Sequence, residues 1–242
     1  MLIEICANSY QSAINAEKAG ANRIELCSEL AVGGITPSYG LLKKVTKELT
    51  IPIHVLIRPR SGDFTFSDDE FNIMKENILL CKELGVKGIV SGVLHLDSSI
   101  DMERTKELVA ISKPMNFTFH RAFDWVQNPI EDIIKLDEIG IVRILTSGQE
   151  NTAEKGLQNL IAFQKVASKI TIMPGGGINK NNINLFQENG FTEVHLSASS
   201  QIKTIEKPTI SMNSNKHFDE TQISTSDVQK IKNCIEITSN EK

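Results

Sequence analysis

The sequence predicts a single α/β domain folded as a (β/α)8 TIM barrel, and three observations carry that prediction. Eight short apolar runs alternate with amphipathic segments along 242 residues, a length that barrels of this kind reach as one domain. The stretches between runs are long enough for the crossover helix that parallel strands require. No GxGxxG follows the first run, so a doubly wound dinucleotide-binding sheet is the weaker choice.

In chain order, "LIEICA" from residue 2 is the first run. Ser9 can cap the helix after it, with Ala13, Ile14 and Ala16 facing inward and Gly20 at its exit. "RIELC" from 23 leads to Gly33 and Gly34 before "TPS", which reads as a flexible active-site loop or as a turn leading to a helix N-terminus. "IPIHVLIR" from 51 ends in Arg58, Pro59 and Arg60, charges where an apolar run usually meets a neutral turn. Ser67 and Glu70 have the capping-box spacing, and Phe71, Met74, Ile78 and Cys81 follow at a helical period. "GIVSGVL" from 88 and "NFTFHRAF" from 116 come next, then Asn128 and Pro129 open a helix that ends at Gly140. "RILTS" from 143, "KITIMPG" from 169 and "EVHLSAS" from 193 complete the eight. Residues from about 203 to 222 show neither period and read as a long loop before a last helix, within one domain spanning 1–242.

Composition bounds the function. With 40% hydrophobic and 23% charged residues the chain reads as soluble and globular. A net charge of -4 argues against nucleic acid as a partner, because phosphate contacts need clustered cations. No apolar stretch is long enough to span a membrane, and the first strand begins at residue 2 without a signal-like segment, so a cytoplasmic location is expected. The cysteines have no CxxC or Cys/His spacing and read as free thiols, Cys81 and Cys234 as helix packing.

The carboxyl ends of barrel strands hold the reactive groups of such folds. Alternation puts Glu4 and Cys6 on one face of the first strand, and Glu25 and Cys27 on one face of the second. It also groups His54, Leu56, Arg58 and Arg60; Thr118 and His120; Arg143 and Ser147; and His195 and Ser197. Buried charges must be paired, so Arg58 is expected to meet Glu4, Glu25 or a bound anion, with Arg60 more exposed. "PGGGIN" and "SASS" follow the seventh and eighth strands, where backbone N–H groups often cradle phosphate. Arg60, Arg121, Arg143, Gly175, Gly176, Gly177 and Ser197 are therefore the anion-binding candidates.

The segments "RIELCSELAVGGITPSYG", "IRPRSGDFTFSDDE", "FTFHRAFD", "RILTSG", "PGGGI" and "VHLSAS", in this order from residue 23 to 200, resemble the CutC family of copper homeostasis proteins. The resemblance implies the same barrel, a cytoplasmic protein, a homo-oligomer and a link to copper. Gln149 stands where the family often has glycine, and the tail after 203 is not family-like.

Two chemistries follow. Cytosolic copper is Cu(I), which prefers sulfur, and Cys6 with Cys27 on adjacent strands could supply two thiolates. Alternatively the mouth is the active site of an isomerase or lyase acting on a small anionic or phosphorylated metabolite. Glu4 or Glu25 would then be the general base, His120 a proton shuttle, and Arg58 the stabiliser of an oxyanion. No lysine stands at a lumen-facing strand end, which disfavours a Schiff-base mechanism.

Overall fold

The computed structural model describes residues 1–212 and 219–239. The strands are β1 (Leu2–Ala7), β2 (Arg23–Leu26), β3 (Ile53–Leu56), β4 (Gly88–Ser91), β5 (Asn116–Phe119), β6 (Arg143–Thr146), β7 (Thr171–Pro174) and β8 (Glu193–Leu196). They run in the order β7-β6-β5-β4-β3-β2-β1-β8, all neighbours parallel. A parallel bridge between Gly175 and His195 joins the two ends of the sheet. The chain is a (β/α)8 TIM barrel, as its sequence predicts.

The helices between strands are α1 (Tyr10–Ala19), α2 (Tyr39–Glu48), α3 (Asp68–Glu83), α4 (Met102–Ser112), α5 (Pro129–Glu138), α6 (Leu157–Val166) and α7 (Ile183–Glu188), with α8 (Val228–Ser239) last. Short 3-10 turns at Leu30–Val32 and Arg121–Trp125 follow β2 and β5. Local chemistry fixes the helix ends. Ser9 accepts from the Ser12 amide, and Gly20 closes α1 at φ 87°, a conformation glycine adopts without a Cβ penalty. Both halves of the Ser67–Glu70 capping box form, and Pro129 occupies the first turn of α5. Phe71, Met74, Ile78 and Cys81 are buried as the helical period predicts, and so are Ala13 and Ala16, while Ile14 is half-buried.

Two apolar bodies result from strand alternation. Ile3, Ile5, Ile24, Leu26, Val55 and Ile57 point outward into the main core under the helices, which also takes Cys81 and Cys234. A smaller cluster of Cys6, Cys27, Leu56 and Val90, with Leu30 against it, lies inside the barrel.

The tail keeps its expected loop, with no helix or strand among the described residues between 204 and 221, but a ribbon that the sequence does not predict flanks it. Strands β9 (Ser199–Lys203) and β10 (Gln222–Ser226) pair antiparallel, with Lys203 opposite Gln222 and Ile202 opposite Ile223. The two ends of the 203–222 segment are thus ribbon residues, and 213–218 lie outside the described residues. Anchoring to α1 explains the ribbon better than its own alternation does. The carbonyls of Ser224 and Ser226 accept from Asn8 and Asn15, and the Ser226 amide donates to Ser12 Oγ. Helix α8 then packs against α1 and α7, completing the outer ring. Among the described residues no helix is long and apolar enough to cross a membrane.

Candidate functional site

Alternation decides which side chains enter the lumen, and position along the strand decides what they meet there. Arg23, Arg143 and Glu193 are the first residues of their strands and form the floor. Arg143 grips both oxygens of Glu193, Nε to Oε2 at 2.5 Å and NH2 to Oε1 at 3.0 Å. Arg23 reaches the same Glu193 at 2.7 Å and bonds Glu4 through Nε. His54 lies 3.7 Å from Glu4; burial, reinforced by Arg23 and Arg143, pushes its imidazole down to about 4. Arg143 was an anion-binding candidate; the structure instead makes it the ion-pair partner of Glu193, because a strand's first residue sits at the opposite end from the mouth.

Glu4, a candidate base, is sealed in the layer above. Burial alone would raise its carboxyl, but the hydrogen bond with His195, at 2.8 Å, and the charge of Arg23 hold it far below the usual range. It orients His195 rather than facing a ligand. Burial disfavours charge on His195, yet its contacts with Cys6, Glu25 and Glu4 outweigh that and hold it well above the ordinary histidine range.

Above this layer opens a cavity of about 760 Å³ at the carboxyl ends of the strands. Cys6, Glu25, Arg58, His120, Arg121 and His195 line it, with Gly176, Gly177 and Ser197 from the loops after β7 and β8 and apolar walls from Leu30, Leu56, Phe64 and Trp125. Such a volume suits a small metabolite.

Glu25 is buried, with Oε1 3.9 Å from the Cys6 sulfur and Oε2 without any partner. Burial, helped by the nearby Glu4 charge and opposed by His195, raises its carboxyl to about 7. His120 accepts the Ala122 amide on Nδ1 at 3.2 Å, and its Nε2 is buried without a partner. Burial first, then the Arg58 charge, pushes this imidazole down to about 3.

Arg58 lies in the wall but meets neither Glu4 nor Glu25. Its NH1 donates to the carbonyls of Val32 and Gly34, both at 2.9 Å, and its NH2 to that of Gly62 at 2.6 Å. The guanidinium sits 4.9 Å over the Phe64 ring. The chain leaves β3 after Leu56, so Arg58 emerges above the carboxylates and reaches the loops instead. Gly34 permits the close approach: at φ 88°, a Cβ there would lie 2.8 Å from Leu56.

Arg60 is outside the cavity. It binds Glu70 at 2.6 Å, Asp63 at 3.1 Å and the Thr65 carbonyl at 2.6 Å, which folds the loop carrying Gly62 and Phe64. Arg121 does line the cavity, held by Asp124 at 2.7 Å and Ser147 at 2.8 Å. Gly176 and Gly177 line it at positive φ, whereas Gly175 pairs with His195 across the barrel closure and packs where a Cβ would meet Leu145 at 2.5 Å.

His195 is grouped with Ser197 on a lumen face in the sequence but given no role there, and Asp124 is not among the sequence candidates. Parity with Ser197 signalled the first. Asp124 left no signal, since its role is to gather the loop after β6: it accepts from Thr146, from Ser147 and from the Gln149 amide at 3.2 Å. Gln149 takes φ 60°, the left-handed region that favours glycine, and its side chain donates to the Val126 carbonyl.

Cys6 and Cys27 approach to 3.6 Å between sulfurs, and both are free. Contact with Cys27 and burial push the Cys6 thiol well up. As a donor set for a soft ion, the pair fits: two sulfurs meet beside a carboxylate, and their apolar neighbours are Leu56, Val90 and Leu30.

Comparison with known proteins agrees with this architecture. A barrel titled KGPDC from Streptococcus mutans superposes with a TM-score of 0.63 over 98% of this chain and 96% of that one; at 8% identity it shows the fold alone. The CutC of Streptococcus agalactiae, named for copper homeostasis, superposes with a TM-score of 0.78 at 35% identity, covering 81% of this chain and 98% of that one. CutC family proteins of Enterobacter sp. (strain 638) and Salmonella typhimurium (strain LT2) are both 45% identical over 197 residues, 81% of this chain and 80% and 79% of theirs. With the family's sequence model matching residues 1–200 as well, the chain belongs to the CutC family.

Proposed function

We propose that the chain is an acid–base enzyme of the isomerase or lyase type, acting on a small anionic metabolite at the mouth of the barrel. The carrying observation is Glu25: a buried carboxyl that faces the cavity with one oxygen unpartnered. A carboxylate left unsatisfied in a closed wall is costly as structure and useful as a proton acceptor. Arg58 and Arg121 make the mouth attractive to an anion, and Gly176, beside Arg121, Gly177 and Ser197 line the same cavity. No lysine lines the cavity among the described residues, so the reading excludes a Schiff base. The test is a thermal-shift screen of phosphate esters and small carboxylates, followed by turnover of whatever binds. An anion that stabilises the parent should still bind the Glu25→Gln protein while turnover falls by at least about a hundredfold. Equal turnover in that variant refutes the reading.

The thiol pair supports a second reading, in which Cu(I) is cargo carried between Cys6 and Cys27, in keeping with the name of the Streptococcus agalactiae relative. Anaerobic Cu(I) titration tests it: Cys27→Ser should abolish tight binding, and unchanged stoichiometry would make the pair packing. Either reading goes with a cytoplasmic homo-oligomer that binds no nucleic acid; sedimentation analysis reads the assembly state directly.

A further inference from the structure

His120 follows the last residue of β5 and caps the 3-10 turn Arg121–Trp125. Its Nδ1 accepts the Ala122 amide at 3.2 Å. A ring nitrogen that accepts a hydrogen bond carries no proton, so the neutral ring must hold its proton on Nε2. That Nε2–H is a donor fixed in place, and nothing in the structure accepts from it. The ring is closely packed. A Cβ at Gly92 would lie 2.7 Å from Nδ1, and the Phe64 ring packs on the imidazole at 4.9 Å. A second proton could go only to Nδ1, breaking the Ala122 bond beside the Arg58 charge. His120 is thus unsuited to the proton shuttling its sequence position suggests.

We infer that His120 is a catalytic hydrogen-bond donor, presenting Nε2–H to the carbonyl oxygen of the substrate, and that the cavity enolises a carbonyl-bearing anion. The inference rests on the reading of Glu25 as the proton-transfer group. A carboxylate removes a proton from carbon most readily where a neighbouring carbonyl takes up the charge. A neutral imidazole N–H is a donor matched to the enolate that forms, and a carboxylate base facing such a donor is the pairing that proton abstraction beside a carbonyl requires. In the step, the Glu25 carboxylate takes the proton from the carbon next to the carbonyl. The C–H electron pair becomes the C=C bond, and the carbonyl π pair moves to oxygen, where Nε2–H stabilises it. Return of the proton to the same carbon, with the oxygen electron pair re-forming the carbonyl, completes an exchange without any oxidant or reductant.

Two measurements on the full chain test this. The first is 15N NMR of histidine-labelled protein, in which His120 should stay a neutral Nε2–H tautomer from about pH 5 to 8. The second is hydrogen–deuterium exchange at carbon in D2O with pyruvate, 2-oxobutyrate, dihydroxyacetone phosphate and ribulose 5-phosphate as probes. At least one should exchange; Glu25→Gln should abolish the exchange, and His120→Ala should slow it by about a hundredfold or more. An imidazolium or an Nδ1–H tautomer, or undiminished exchange in His120→Ala, overturns the role of His120 and leaves the Glu25 reading standing. No exchange of any probe overturns the carbonyl class, while the thermal-shift screen still decides whether Glu25 serves another anion. If His120→Ala fails to fold, the NMR measurement on the unaltered protein remains decisive.

Discussion

The floor and the mouth of the lumen hold the same kinds of residue in opposite states. At the floor, Arg23 and Arg143 meet Glu4 and Glu193 with every charge matched by a partner. At the mouth, Glu25, Arg58 and His120 each keep one buried polar atom without a partner. Burial of charge is common to both regions, so it cannot mark function by itself. Pairing of carboxylates and guanidiniums separates them, since His54 Nδ1 at the floor also lacks a partner: a closed ion-pair network fixes register, whereas an open valence is maintained at a cost that a ligand can recover.

Breaking the floor should have the largest effect. Arg143→Met strips the forked partner from Glu193 and should cost about 3–5 kcal/mol, read by urea denaturation. A loss below about 1 kcal/mol would place the floor among dispensable ion pairs and dissolve the contrast. Arg58→Lys keeps the charge but cannot serve three carbonyls in a planar fork. It should cost about 1–3 kcal/mol and make the chain between Val32 and Gly62 more sensitive to protease at its loops. Arg58→Ala leaves no carboxylate unpaired, since Glu4 and Glu25 are not its partners.

The Glu25 carboxyl sharpens the comparison through pH. Its folded value is raised from 4.5 to about 7, so across that window the folded protein holds a proton that the unfolded chain has released. Relative to Glu25→Gln, the parent should therefore lose about 1–3 kcal/mol of stability as pH rises through the window, while the neutral His54 and His120 push both proteins the other way by the same amount. Parallel curves for the two proteins would mean that Glu25 is not a strained acid. Least of all, Cys27→Ala should cost about 1 kcal/mol or less, because a small buried thiol is replaced by a smaller apolar group; calorimetry checks this.

The strands, their order and the helix caps were legible because each rests on local periodicity or on two residues at fixed spacing, as with Ser67 and Glu70. Lumen-facing identity was legible too, since parity placed Cys6, Glu25, His120 and Arg143 inward. Height within the lumen was read less well. Arg143 opens its strand, a fact already visible in "RILTS", yet it was grouped with residues that close theirs. Glu193, its counter-charge, opens β8 in the same way. The partners of Arg58 were beyond any side-chain pattern, because they are backbone carbonyls brought near by the turns at Gly33 and Gly34 and by the loop that Arg60 folds. His120 shows the same limit: its type and face were plain, but its tautomer depends on one amide two residues on.

Arg58 also bears on rates. One guanidinium bonds to Val32 and Gly34 in the loop after β2 and to Gly62 in the loop after β3. Moving either loop would break bonds to the guanidinium that also holds the other, so the two are expected to move together. A substitution in either loop should then change the dwell time of whatever the cavity holds.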